Sequence, residues 1–190
     1  MRFYQSTILE DQSDKSLLEL CLSKDSENYG FNLVVRKYQK QIYWHIRRMV
    51  INHSDADDLV QETFVKVWRN MKKFRQESSL YTWIYRIATN ETLSFLQRKK
   101  LKYMIRPGNL ESHLAGKLTD DNFFDGNEVQ LRLQKALLSL PGKQRLVFNL
   151  KYYSDMTFEE MSVVLDTSVG ALKASHHIAV KKIEKYLINY

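Results

Sequence analysis

Apolar residues recur at three- and four-residue steps along most of this chain, the period of a helix face. Leu17, Leu18 and Leu20 open the pattern over residues 15–24. Phe31, Val34, Val35, Tyr38, Ile42, Ile46 and Met49 continue it over 28–51. Ser54, with Asp57 three residues on, reads as a capping-box-like start to a third helix, worth about 1 kcal/mol. That helix carries an apolar stripe of Leu59, Val60, Phe64, Val67, Trp68 and Met71. Ser78-Ser79 opens a fourth helix running toward Lys100.

The periodicity stops at residues 102–127, where Pro107-Gly108-Asn109, Gly116, Asp120-Asp121-Asn122 and Asp125-Gly126-Asn127 cluster. A connection of this length is uncommon inside one compact domain, so it reads as a linker with a short helix near Leu110–Leu118. Helical pattern resumes over Glu128–Leu140, Lys143–Tyr153, Phe158–Leu165 and Val169–Leu187. Thr157-Phe158-Glu159-Glu160 is a capping box, and Asp166-Thr167-Ser168 a tight turn into the last helix. A short helix, a three-residue turn and a longer basic helix form a helix-turn-helix pattern, although an ordinary helical hairpin reads similarly. The expected fold is all-α. Residues 1–101 and 128–190 form two small helical domains joined by a flexible linker at 102–127.

Two helix faces invite a chemical reading. In the fourth helix, Leu80, Trp83, Ile84, Ile87, Ala88 and Phe95 share one arc. Tyr81, Thr82, Tyr85, Arg86 and Thr89 lie opposite, with Asn90 at the edge. Such a face suits stacking and hydrogen bonding of unpaired bases at about 1–3 kcal/mol per stack. It equally suits tyrosines that cap the rim of a core and show their hydroxyls to water. In the last helix, Val169, Leu172, His176, Ala179, Val180, Ile183 and Leu187 share one side. Gly170, Ala174, His177 and Lys181 point away, flanked by Lys173 and Lys185. Small residues let a helix approach base edges, and lysines neutralise phosphates.

Charge sharpens this picture. The 190 residues carry a net +7, unevenly placed. Residues 1–30 hold six acids and three bases, and 55–62 hold Asp55, Asp57, Asp58 and Glu62 with no base. Residues 66–100 then hold nine bases against Glu77 and Glu91, and 128–190 hold nine against six. Two basic regions on either side of a weakly acidic stretch suggest two surfaces for a polyanion, or ordinary solvated helix faces. The acids at 55–62 also suit the first turn of a helix, where the macrodipole favours them.

Composition excludes several classes. Six glycines and two prolines leave too few turns for a sandwich or barrel. A lone cysteine, Cys21, rules out an internal disulfide or a cysteine zinc cage and fits a reducing compartment. No apolar run nears the ~20 residues of a membrane span, and the N-terminus opens no signal core, so a cytoplasmic protein without membrane insertion is expected. The chain contains no His-Glu-x-x-His pair, glycine-rich phosphate loop or nucleophile elbow. His45, His53, His113, His176 and His177 lack the spacing of a zinc site. Neither catalytic residues nor a metal or cofactor is expected, and the chain is read as not an enzyme.

Three segments carry a resemblance. They are Asp57-Asp58-Leu59-Val60-Gln61-Glu62-Thr63-Phe64-Val65-Lys66-Val67-Trp68; Phe74-Arg75 with Ser78 through Asn90; and Leu140-Pro141 through Thr157-Phe158-Glu159-Glu160-Met161 to Ser168-Val169-Gly170-Ala171-Leu172-Lys173. In this order and spacing, over about residues 12–100 and 128–187, the chain resembles the extracytoplasmic-function group of bacterial sigma factors, small promoter-specificity subunits of RNA polymerase. The resemblance implies that Asp58, Gln61, Glu62 and Lys66 contact core polymerase. It implies that the basic region from Phe74 to Lys100 opens and reads the downstream (−10) promoter element as single strand. Ser79, Tyr81, Arg86 and Asn90 are the expected contacts there, with Lys99 and Lys100 on phosphates. The second domain then reads the upstream (−35) element as duplex through Ser168, Lys173, Ala174, His177 and Lys181. Such factors are commonly restrained by an anti-sigma partner, often membrane-anchored.

The chain departs from the family pattern in places. Trp83 is followed by Ile84 where housekeeping members usually carry a tryptophan pair, which implies weaker melting and stricter promoter demands. Ala174 and Ser175 stand where many relatives have serine and arginine, removing a bidentate guanine contact. His176 occupies a normally apolar position and is expected to pack; His177 has the better geometry for DNA. The alternative function is a helix-turn-helix DNA-binding regulator that never joins the polymerase. That reading explains 128–190 but gives no reason for the acid-then-basic helices at 55–100.

Overall fold

The computed structural model describes residues 13–102 and 128–189, and the short helix expected near Leu110–Leu118 lies outside them. Among the described residues all regular structure is helical. Helix α1 (Asp14–Leu22) starts where the Ser13 side chain accepts from the Ser16 N–H at 3.2 Å. It packs Leu17, Leu18 and Cys21 onto α2 (Glu27–Val50). The crossing is tight at Gly30, where a Cβ would lie 2.7 Å from the Cys21 nitrogen and 2.7 Å from the Leu20 Cβ. Only glycine fits this approach.

Helix α2 ends at Ile51, which turns the chain with a φ of 65° while its N–H bonds the Arg47 carbonyl. The next helix, α3 (His53–Asn70), is therefore capped by Asn52, whose side chain accepts from the Asp55 N–H at 2.9 Å. This corrects the expected start at Ser54. The left-handed turn at Ile51 places Asn52 in extended backbone, the geometry of an N-cap. Asp57 pairs with His53, one turn back, at 3.3 Å. A 3-10 turn (Met71–Lys73) leads toward α4 (Leu80–Lys102), whose first N–H groups are met by the Ser79 hydroxyl, 3.1 Å from the Thr82 nitrogen.

The later elements are α5 (Glu128–Leu138), α6 (Gly142–Tyr152), α7 (Phe158–Leu165) and α8 (Val169–Ile188). The capping box at α7 forms as expected: Thr157 Oγ1 accepts from the Glu160 N–H at 3.1 Å, and Glu160 accepts from the Thr157 N–H at 2.8 Å. Asp166 leaves α7 with a φ of 49°, and Ser168 caps α8.

Helices α2, α3 and α4 pack on one another around Val34, Ile42, Ile46, Leu59, Ile84 and Ala88, all at most 1% exposed. This core does not stop at the first half of the chain. Leu146, Val147 and Leu150 of α6, Met161 and Val164 of α7 and Leu172 of α8 belong to the same apolar cluster. Helix α7 packs on α4, and α6 on α2. A smaller core of Ala136, Leu137, Leu140, Phe148, Ala179 and Ile183 ties α5, α6 and α8 together.

Candidate functional site

The outer face of α3 presents Asp58, Gln61 and Glu62 to solvent. Lys66 is half exposed, and its ammonium pairs with Glu91 of α4 at 2.5 Å. Beside this face Phe31, Phe64, Val65 and Trp68 line an open apolar groove, and Phe31 meets Trp68 edge-on at 4.8 Å. Val65 is 47% exposed. An acidic, amide-bearing ridge along an apolar groove is a surface that another protein's helix can cover.

Helix α4 differs from the sequence expectation. Thr82, Tyr85 and Thr89, assigned to an outward face, are at most 2% exposed. The reason is α2: His45 Nε2 lies 2.9 Å from Thr89 Oγ1, and its ring is 4.9 Å from the Tyr85 ring. With α2 and α3 on one side and α7 on another, α4 has no wide free face. His45 is enclosed, and desolvation, followed by the nearby Arg48 charge, lowers its pKa to about 3. It is a neutral packing residue.

What α4 still offers to solvent is narrower. Arg86 and Asn90 are exposed, one turn apart, and Ser79 is exposed at the helix start. Arg86 lines a cleft with Lys73, Phe74, Arg75 and Trp83, in which the Phe74 and Trp83 rings lie 4.8 Å apart. Lys73, Phe74 and Arg75 were not singled out as contacts by sequence. Their signal was present in the density of bases after residue 66 and in the Phe74-Arg75 motif.

Tyr81 is half-buried, and its hydroxyl donates to the Ser154 carbonyl at 2.8 Å. Burial, then its neighbour Tyr85, pushes its pKa upward, so the hydroxyl stays protonated as a donor. Lys99 is a second correction. Its ammonium is 2.5 Å from Asp55 and its side chain only 13% exposed, so it ties α4 to the start of α3 and is not free for a phosphate. Lys100 keeps part of its surface open.

Helix α8 keeps open the side expected to face outward. Lys173, Ala174, His177 and Lys181 are exposed along one side, and Ser168 is exposed at the N-cap, its Oγ 3.4 Å from the Ala171 nitrogen. His176 packs as expected, its ring stacked 6.1 Å from Phe148 and edge-on to Phe158 at 5.8 Å. Burial, with Lys151 and His177 nearby, lowers its pKa. An exposed small residue flanked by lysines and a histidine, on a helix the width of a major groove, can reach base edges while its cations meet phosphates. Among the described residues no cluster of histidine, cysteine or carboxylate side chains forms a metal site, and no helix is long and apolar enough to cross a membrane.

Comparison with known proteins matches both halves. Residues 34–101 fit the Sigma-70 region 2 family, and residues 130–183 fit Sigma-70, region 4. The chain is 30% identical over 173 residues to the ECF RNA polymerase sigma-E factor of Escherichia coli strain K12, covering 87% of this chain and 89% of that protein. It is 29% identical over 177 residues to the ECF RNA polymerase sigma factor SigW of Bacillus subtilis, covering 86% and 92%. Among solved structures, CnrH in complex with the cytosolic domain of CnrY superposes with a TM-score of 0.68 at 24% identity, covering 94% of this chain and 99% of that one. The sigma factor RpoE of Bartonella quintana, bound to the anti-sigma factor NepR, gives 0.65 at 20% identity, covering 83% and 96%.

Proposed function

The chain belongs to the extracytoplasmic-function sigma factors of bacterial RNA polymerase, initiation factors that bring the core enzyme to particular promoters, and from that membership we propose how its surfaces divide the task. Residues 1–101 form the module that joins the polymerase and handles the −10 element. Residues 128–190 form the module that holds the −35 element, and 102–127 connect them. RNA synthesis itself is performed by the core enzyme. The protein works in the cytoplasm, beside its polymerase.

Asp58, Gln61, Glu62 and Lys66 of α3 dock on core polymerase, with the Val65–Trp68 groove alongside receiving apolar side chains. Helix α8 enters the upstream major groove. There Ala174 lets the backbone approach, His177 faces a base edge, and Lys173 and Lys181 lie on phosphates, with the Ser168 end closest to the groove. As the strands part, Arg86 and Asn90 hold an extruded base by its edges, Tyr81 supplies a stacking ring, and Ser79 and Lys100 bear on the backbone. An anti-sigma partner restrains the protein, as NepR binds the RpoE of Bartonella quintana.

The observation that carries this reading is the separate exposure of three chemically distinct faces on one helical frame. They are the acid-and-amide face of α3, the Arg86–Asn90 edge of α4 and the lysine-flanked face of α8. A regulator that never joins polymerase would account for α8 alone. The test is a paired variant, Arg86→Ala with Asn90→Ala, assayed separately for core binding and for permanganate reactivity of promoter thymines. Core binding is expected to persist while reactivity falls. Loss of core binding would place these residues on the wrong surface.

A further inference from the structure

Resting on that reading, we propose that Phe158 is a positioning residue of the duplex reader, a ring at the start of α7 that holds the Lys173 ammonium of α8 in place for a phosphate. The ring is itself fixed from several directions. The capping box of Thr157 and Glu160 sets the first turn of α7, in which Phe158 is the first residue. Half-buried, it packs against the main apolar cluster. Beside it stands a column of rings. Tyr152 stacks on Phe148 at 5.3 Å, Phe148 on His176 at 6.1 Å, and His176 meets Phe158 edge-on at 5.8 Å.

Two ammonium groups approach this ring. Lys151 of α6 and Lys173 of α8 each place Nζ 5.8 Å from its centroid, within reach of the attraction between a cation and the electron-rich face. The two are not equivalent. Lys151 also donates to the Met156 carbonyl at 3.1 Å, which ties it to its own end of α6. Lys173 is exposed on the side of α8 that carries Ala174 and His177, and it has no ion pair among the described residues. The third neighbour, His176, adds no charge near neutral pH, because burial, then Lys151 and His177, lowers its pKa.

An aliphatic side chain supplies apolar contact at a half-buried helix start; only a π face also attracts cations. An ammonium has three donors and the ring occupies no acceptor, so Lys173 can rest on Phe158 and still donate to a phosphate oxygen. A lysine already held near its bound position loses less side-chain freedom when the duplex arrives. Phe158 therefore raises duplex affinity without adding charge. It should change the affinity at a given salt concentration and leave the slope of log affinity against log salt unaltered.

The test uses the full chain and a labelled duplex carrying the upstream element of a mapped start site. Phe158→Leu is expected to weaken binding about threefold at an unchanged salt slope, whereas Phe158→Tyr, which keeps a π face, should bind like the unaltered chain. In a chain that already carries Lys173→Gln, Phe158→Leu should have almost no further effect, because the ring acts through that ammonium. Replacing Phe158 by pentafluorophenylalanine keeps the ring's shape but withdraws negative charge from its face. That change should weaken binding as Phe158→Leu does, and it carries the test if the leucine variant does not fold. Equal losses with and without Lys173, tighter binding by Phe158→Leu, or full binding by the fluorinated chain overturns the positioning role. Lys173→Gln alone separates the two failures. If it weakens binding while changes to the ring do nothing, only the role of Phe158 falls. If it leaves binding unchanged, the reading of Lys173 as a phosphate contact falls, and the role of Phe158 with it.

Discussion

His45 makes the acid sensitivity of the first half calculable. Its ring is enclosed between Tyr85 and Thr89, and its Nδ1 has no hydrogen-bond partner among the described residues. Protonation would bury a charge with an unsatisfied N–H, which is why desolvation holds the folded pKa near 3. In the unfolded chain the ring titrates near 6.5. Below that value the unfolded state takes up a proton that the folded state refuses, so stability falls as pH drops and levels off only below about 3. Each pH unit in the window costs about 1.4 kcal/mol, so moving from about pH 7 to about pH 5 costs about 2 kcal/mol from this residue alone. His45→Gln keeps a polar partner for Thr89 and removes the titration. Urea unfolding of both proteins at the two pH values isolates the effect, because every other titrating group is common to them. The unaltered protein should lose about 2 kcal/mol more than the variant. Parallel stability curves would show that the ring is protonated in the folded state.

Other consequences follow from packing and charge. Gly30→Ala drives a Cβ into the α1 backbone and should cost about 1–3 kcal/mol in the same unfolding assay. Asp166→Gly relieves a left-handed residue after α7 and should stabilise by about 0.5–1 kcal/mol, since the Asp166 backbone already has a φ of 49°. Lys173→Gln should weaken duplex binding and lower the slope of log affinity against log salt by about 1; an unchanged slope would remove Lys173 from the phosphate contacts.

Local rules made much of this architecture legible in the sequence. The capping box at Thr157 and the outward lysines of α8 depend on neighbours three or four residues away, and both appear in the fold. The polymerase, strand and duplex contacts were drawn from a resemblance that the matches over 34–101 and 130–183 support as a family. Less legible was anything decided at long range. Helical periodicity gave α4 an inside and an outside, yet α2 and α7 enclose both, burying Thr82, Tyr85 and Thr89. Lys99 was expected on a phosphate from the resemblance of the basic Phe74–Lys100 region; its partner, Asp55, is 44 residues away and could not be read from local sequence. Asn52 displaced Ser54 as a cap because Ile51 adopts a left-handed conformation that β-branched residues rarely take.

As an initiation factor, this chain chooses where RNA synthesis begins. Start sites mapped by sequencing transcripts from a genomic fragment library, made by purified core polymerase with and without the full chain, test it most directly. A discrete set of new start sites that share upstream and downstream elements should appear only with the chain present. Identical start-site profiles in the two reactions would contradict it.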